Sequence, residues 1–222
     1  MSFLAIFDVD GTMVDSQNHI VAAMDHAHDT VGIDRLPRER VLEIVGLSLP
    51  EAFRFLHPTQ SEATLEALVD GYKNTFRGLR LGGTAPVSPF FPGIHEGLTR
   101  LGARDDILLG TATGKSRRGL DALMETSGLA PHFVTLQCAD GHPSKPHPSM
   151  VLTAMAETGT EAPRAVMIGD TEFDIAMGRA AGVRTIGVTW GYHAVPRLRD
   201  AGADHLVDDW QALEDLILEL AQ

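Results

Sequence analysis

The sequence predicts an α/β fold built on a doubly wound parallel sheet, and three observations carry that expectation. Short β-rich apolar runs recur along the chain. A helical pattern follows each of them. The runs are also continuous, where half-exposed strands would alternate. Continuous runs suit strands buried on both faces, and strand–helix alternation is the pattern of a parallel sheet with helices packed on it. Strands are expected at Phe3–Phe7, Ile107–Thr111, Phe133–Leu136, Ala165–Ile168 and Thr185–Val188, with a weaker one at Asp204–Val207. The helices between them are expected at about 94–102, 116–127, 148–158, 172–181 and 209–220. Gly128, Gly159 and Gly182 stand at helix ends, and Pro148 can open a helix in its first turn.

The alternation breaks once. From about Ser16 to Ala85 there is no convincing strand, yet Leu65, Leu68, Val69, Tyr72, Phe76 and Leu79 recur at helical spacing, as do Ile20, Met24, Ala27 and Val31 earlier. Some seventy helical residues are too many for one strand-to-strand crossover. The stretch therefore reads as a helical insert emerging after the first strand, with Gly82-Gly83-Thr84-Ala85-Pro86 as its return hinge.

Composition excludes several classes of function. Eighteen Lys plus Arg against thirty Asp plus Glu leave a net charge of −12, which argues against a nucleic-acid partner. One cysteine, Cys138, allows neither an internal disulfide framework nor a cysteine-rich zinc site. No apolar run is long enough to span a bilayer, and Phe3–Phe7 is cut off by Asp8 without a basic flank, so no membrane partner and a cytoplasmic location are expected. Of the basic residues only Lys73, Lys115 and Lys145 are lysines, a hint that these sit where a compact charge is wanted.

The polar outliers fall at strand ends, where open α/β sheets bind ligands. Asp8-Val9-Asp10-Gly11-Thr12 places two carboxylates directly after a buried strand; they repel one another unless a cation lies between them, and oxygen ligands of this kind suit Mg²⁺. Thr111-Ala112-Thr113-Gly114-Lys115-Ser116 offers a hydroxyl, a glycine amide and a helix N-terminus in succession, an anion cradle. Pro143-Ser144-Lys145-Pro146-His147-Pro148 is a stiffened loop presenting a lysine. Gly169-Asp170-Thr171-Glu172-Phe173-Asp174 supplies a carboxylate to complete the cation site and a second one helical turn along. Each stretch alone has an ordinary reading: an Asp–Gly turn, a turn capped by Ser116, a surface lysine, a helix capped by Asp170. Asp15 and Ser16 read as helix caps, Arg117, Arg118 and Lys73 as solvated residues, and His142 and His147 as loop polar groups. What the ordinary readings leave unexplained is the ordered set at four successive strand ends.

That set resembles the four motifs of the haloacid dehalogenase superfamily of hydrolases, across essentially the whole chain. The insert resembles the helical cap of one branch. Val45-Gly46-Leu47-Ser48-Leu49-Pro50, together with Val188-Thr189-Trp190-Gly191-Tyr192 and Ala201-Gly202-Ala203-Asp204, is most similar to phosphoglycolate phosphatases. The resemblance implies a Rossmann-like core of residues 1–15 and 86–222 with a cap at 16–85. It implies an Mg²⁺-dependent phosphatase acting on a small phosphate monoester, phosphoglycolate-like, through an aspartyl-phosphate. Asp8 is then the nucleophile and Asp10 the acid and base. Asp8, the Asp10 carbonyl and Asp170 are the metal ligands, with Asp174 behind them. Thr113, Gly114 and Lys145 hold the phosphoryl group, and Gly46, Leu47, Ser48, Leu49 and Arg54 are the cap residues expected to meet substrate. The partner implied is a small phosphorylated metabolite, with monomer and homodimer both open. Asp10 argues against the dehalogenases, which lack that acid, and Lys73 is a poor Schiff-base lysine for phosphonate cleavage. Phosphomutase, pyrophosphatase and a non-catalytic phosphate-binding protein stay as alternatives. Closure of the cap about hinges near Ser16 and Ala85 is expected.

Overall fold

The run Phe3–Phe7 forms β1, and all five of its side chains are buried. It lies inside a six-stranded parallel sheet with β2 (Ile107–Thr113), β3 (Phe133–Cys138), β4 (Ala165–Gly169), β5 (Arg184–Val188) and β6 (His205–Val207). The computed structural model describes residues 2–81 and 88–222. The hinge expected at Gly82–Pro86 and the side chain of Leu79 lie outside the described residues. The strand order is β3-β2-β1-β4-β5-β6, and each neighbouring pair is parallel.

Two-residue periodicity sorts β1 between two cores. Phe3, Ala5 and Phe7 pack on one face with Leu98, Trp210, Leu213 and Ile217, from α5 (Ile94–Gly102) and α10 (Trp210–Leu220). Leu4 and Ile6 pack on the other with Met150, Val151, Met155 and Met177, from α7 (Ser149–Thr158) and α8 (Glu172–Ala180). Burial on both faces is why the strands read as continuous apolar runs. The chain moves from β1 to β2 on one side, and β4 returns to β1 on the other. The switch point of the sheet therefore lies between the carboxyl ends of β1 and β4, where α/β folds open a crevice.

Among the described residues four helices separate β1 from α5: α1 (Gln17–Val31), α2 (Arg38–Leu42), α3 (Leu49–Leu56) and α4 (Glu62–Leu81). They share a core of their own, made by Ile20, Met24, Ala27, Val41, Phe53, Leu65, Leu68, Val69 and Tyr72. Burying Met24, Phe53 and Leu68 alone stabilises this layer by about 1.5–3 kcal/mol each. Leu79 aside, the two stripes seen in the sequence are the facing sides of α1 and α4.

Several local expectations need correction. Strands β2 and β3 run two residues further than their apolar runs, because Ala112–Thr113 and Gln137–Cys138 pair across the ladder. Pro148 stands just before α7 as its N-cap instead of inside its first turn. The helix α9 (Val195–Asp200) was not anticipated, because six residues carry too little periodicity to read. Ser16 occupies the N-cap position of α1 without capping it, since its hydroxyl is given to Asp10 instead. No helix among the described residues is long and apolar enough to cross a membrane.

Candidate active site at the switch point

Sheet pairing continues one residue beyond β1: the Asp8 amide donates to the Ile168 carbonyl at 2.9 Å, which fixes Asp8 beside the end of β4. The Lys145 ammonium, wholly buried, donates to Asp8 Oδ1 at 2.7 Å and to Asp174 Oδ1 at 2.6 Å. The remaining Asp174 oxygen accepts from the Thr171 amide at 3.0 Å and its hydroxyl at 2.6 Å, closing a capping box at the start of α8. Thr171, not Asp170, caps that helix. Asp170 accepts from the Thr12 hydroxyl and the Tyr192 amide, each at 2.8 Å. Gly11, at φ +94°, lies so close that a Cβ there would stand 2.3 Å from Asp170 Oδ2.

Oxygens of Asp8, Asp170 and Asp174 lie within 4.8 Å of one another. Three buried carboxylates face one ammonium, and among the described residues the buried Asp8 Oδ2 has no hydrogen-bond partner. Burial pushes Asp8 up to about 7 against the pull of Lys145, with Asp174 adding to the rise. Burial also raises Asp170 well above the usual carboxylate range, and Asp174 and Asp8 raise it further. Burial acts to lower Lys145, but Asp174 and Asp8 outweigh it and hold it above its ordinary value, so it stays charged. Hard oxygen donors, excess negative charge and an orphaned carboxylate oxygen together fit a divalent cation such as Mg²⁺.

The Asp10 carboxylate stands apart from this cluster. Its Oδ1 accepts from the Ser16 hydroxyl at 2.6 Å and from Lys115 Nζ at 2.8 Å. A ligand role for Asp10 therefore rests on its backbone carbonyl. Lys115 also lies 5.3 Å from the centre of the Phe76 ring on α4, so it joins the sheet to the helical layer. The sequence reading gave Lys115 no role; its rarity as a lysine beside Gly114 was the available signal.

A cavity of about 400 Å³ separates sheet and helices. Asp8, Asp10, Thr113, Gly114 and Lys115 line it below, and Gly46 and Leu47, in the turn before α3, are among the residues above. The Thr113 hydroxyl accepts from the Lys115 amide at 3.2 Å. Gly114 meets the helical layer directly: a Cβ there would lie 2.6 Å from the Gly46 carbonyl oxygen and 2.8 Å from that of Leu47. Gly114→Val should hold the two layers apart and lower kcat/KM by about a hundredfold, with only a small change in melting temperature. Steady-state kinetics beside thermal melts check this, and unchanged kcat/KM would contradict it.

Ser48 and Arg54 are not brought to the cavity. The Ser48 amide donates to Ser144 Oγ at 2.8 Å, tying the helical layer to the loop that presents Lys145. Arg54 is exposed and held by Glu51 and Glu62 at 2.7 and 3.1 Å, because the helix turns that face away from the sheet side. Lys73 and Arg118, read as solvated, are exposed but do line the cavity.

The loop after β5 joins the parts. Tyr192 gives its amide to Asp170, and its hydroxyl accepts from the Ser16 amide at 2.9 Å, where the chain enters α1. His193 Nδ1 accepts from the Glu172 amide at 3.3 Å, so its proton resides on Nε2, which donates to the Glu43 carbonyl of the helical layer at 3.1 Å. Burial, then the charge of Arg197, depresses the His193 pKa. A depressed histidine contributes stability above its unfolded value of 6.5 and loses it as pH falls through the folded value. Melting temperature should therefore fall less steeply between about pH 7.5 and 5 in His193→Ala than in the wild type. Parallel melting curves would refute the link.

A parallel sheet carrying buried carboxylates, a lysine and a hydroxyl–glycine turn at its switch point defines a hydrolase of the phosphoryl-transfer type. Residues 5–188 match the family described as haloacid dehalogenase-like hydrolase. A protein named "Probable phosphatase IndB" from Dickeya dadantii is 37% identical over 213 residues, covering 94% of this chain and 90% of that one. A "Phosphoglycolate phosphatase" from Agrobacterium fabrum is 30% identical, covering 99% and 94%. The crystal structure of "a predicted phosphatase from Clostridium acetobutylicum" superposes with a TM-score of 0.86 at 25% identity, covering 99% of this chain and all of that one. The chain belongs to the haloacid dehalogenase-like hydrolases, and it is a phosphatase of that family.

Proposed function

We propose that this phosphatase hydrolyses a small phosphate monoester with Mg²⁺, through an aspartyl-phosphate on Asp8. The observation that carries the proposal is Asp8 Oδ2, buried and without a hydrogen-bond partner among the described residues while Lys145 holds the other oxygen. Such an oxygen is free both to meet a cation and to attack phosphorus. Asp8, Asp170 and the Asp10 carbonyl would hold Mg²⁺, with Asp174 behind them. Bound there, the ion supplies the positive charge that lets a carboxylate meet an anionic phosphoryl group.

Asp8 attacks phosphorus, the bond to the leaving oxygen breaks, and Asp10 gives that oxygen its proton. Asp10 then takes a proton from water, whose oxygen attacks the phosphorus of the acyl phosphate. The phosphorus–Asp8 bond breaks, and inorganic phosphate leaves. Thr113, the Gly114 amide and Lys145 hold the phosphoryl oxygens as charge develops. Residues 16–85 act as a cap over a core of residues 1–15 and 86–222, excluding water during the transfer. Small phosphorylated metabolites in a cytoplasmic setting go with this reading. The names of relatives put phosphoglycolate and pyrophosphate among the first substrates to try.

Phosphate release from a panel of phosphoglycolate, sugar monophosphates, nucleotides and pyrophosphate, with Mg²⁺ and with EDTA, tests the reading. Release that requires Mg²⁺ is expected. Undiminished release in EDTA would overturn the metal's part, and sugar-phosphate isomerisation without net release would replace hydrolysis by a mutase reaction.

A further inference from the structure

We propose that the leaving group of the substrate carries a planar, largely apolar ring that seats against Phe76 and Tyr72, an inference that rests on the phosphatase reading above. Size is the first argument. The cavity of about 400 Å³ falls in the range of about 300–1,000 Å³ that holds ring-bearing ligands. Phosphoglycolate and pyrophosphate, with about nine heavy atoms each, fill only part of such a space, in which one water takes about 30 Å³.

The chemistry of the upper wall is the second. Met24, Ile44, Leu49, Tyr72 and Phe76 line it, and a carboxylate or second phosphate pressed there would lose most of its hydration for little beyond the Tyr72 hydroxyl in return. The rings of Tyr72 and Phe76, one helical turn apart on α4, are stacked at 15° with centroids 5.8 Å apart, and so give the wall an aromatic edge. Among the described residues the Tyr72 hydroxyl has no hydrogen-bond partner, although its ring is buried and lines the cavity. It can serve a polar edge of the incoming ring.

The cations are the third argument. Lys73, Lys115 and Arg118 line the cavity. Lys115, partly buried, is engaged with Asp10, whereas Lys73 and Arg118 are exposed. Two exposed cations steer an anionic ester inward, but they give a second anion no buried partner deep in the site.

The test compares kcat/KM for benzyl phosphate and pyridoxal 5′-phosphate with that for phosphoglycolate, pyrophosphate and acetyl phosphate, all with Mg²⁺. The ring esters should exceed phosphoglycolate by about tenfold or more. Phe76→Leu, which keeps the apolar bulk of the helical core, should shrink that ratio by about threefold to tenfold, and Phe76→Ala should shrink it further. Equal or better turnover of phosphoglycolate or pyrophosphate would overturn the inference, as would a Phe76→Leu variant that slows every ester alike. If no compound of the panel, the acyl phosphate included, releases phosphate in an Asp8-dependent way, the phosphatase reading itself fails and takes this inference with it.

Discussion

Asp8→Asn should abolish turnover, lowering phosphate release by at least about ten-thousand-fold, while leaving the fold intact. The amide has the same shape as the carboxylate, and its oxygen can still accept from Lys145. It lacks the charge and nucleophilicity needed to attack phosphorus. Asp8 is 1% exposed and its pKa is pushed up to about 7, so its ionisation opposes folding. The sign is that of a raised carboxylate: between its ordinary value of 3.8 and about 7 the folded chain holds a proton that the unfolded chain releases, and stability falls as pH rises. Removing that charge should make the variant melt at or above the wild type at about pH 8 in EDTA. A stable variant that still releases phosphate would exclude Asp8 as nucleophile. A variant that melts well below the wild type would contradict the account of repulsion at this site.

Lys145→Met should show the opposite balance. The ammonium bridges Asp8 and Asp174, and its loss leaves three buried carboxylates with no cation among them. Removing one member of a buried ion group costs about 3–5 kcal/mol. The variant should melt far below the wild type in EDTA and recover part of the loss with Mg²⁺, because a cation that binds only the folded chain stabilises it by mass action. Turnover should fall about a thousandfold even when the fold is restored, since the proposed ammonium partner of the phosphoryl oxygens is gone. Differential scanning calorimetry with and without Mg²⁺ reads the first effect, and turnover in saturating Mg²⁺ reads the second. Equal melting temperatures in EDTA and Mg²⁺ would show that the carboxylates do not gather a cation.

Much of the site was legible because its residues are tied to strand ends. Asp8 and Asp170 stand directly after strands whose apolar runs leave little doubt of their limits, so their meeting follows from a parallel sheet once β1 and β4 are neighbours. Lys145 comes from a loop, yet its rarity and its rigid proline neighbours marked it. What the sequence did not reveal depends on how the helical layer lies over the sheet. Arg54 sits in the same helical region as Leu47, and only packing decides that one faces solvent and the other the cavity. Lys73 reads as solvated because it is exposed; that it also lines the cavity depends on the turn of α4. Lys115 reads as part of a turn, and its link to Asp10 joins residues 105 positions apart. Ser16 illustrates the same limit at short range: a cap by position, it is drawn away by a carboxylate six residues earlier.

The aspartyl-phosphate is the central claim, and mass spectrometry tests it most directly. Asp10→Ala removes the group proposed to activate water for the second step, so the intermediate should accumulate. After mixing with a turned-over ester and Mg²⁺ and quenching in acid, the peptide containing Asp8 should gain about 80 Da, the mass of one phosphoryl group. An unmodified Asp8 peptide under conditions where phosphate is released, or a phosphoryl group on another residue, would contradict the account.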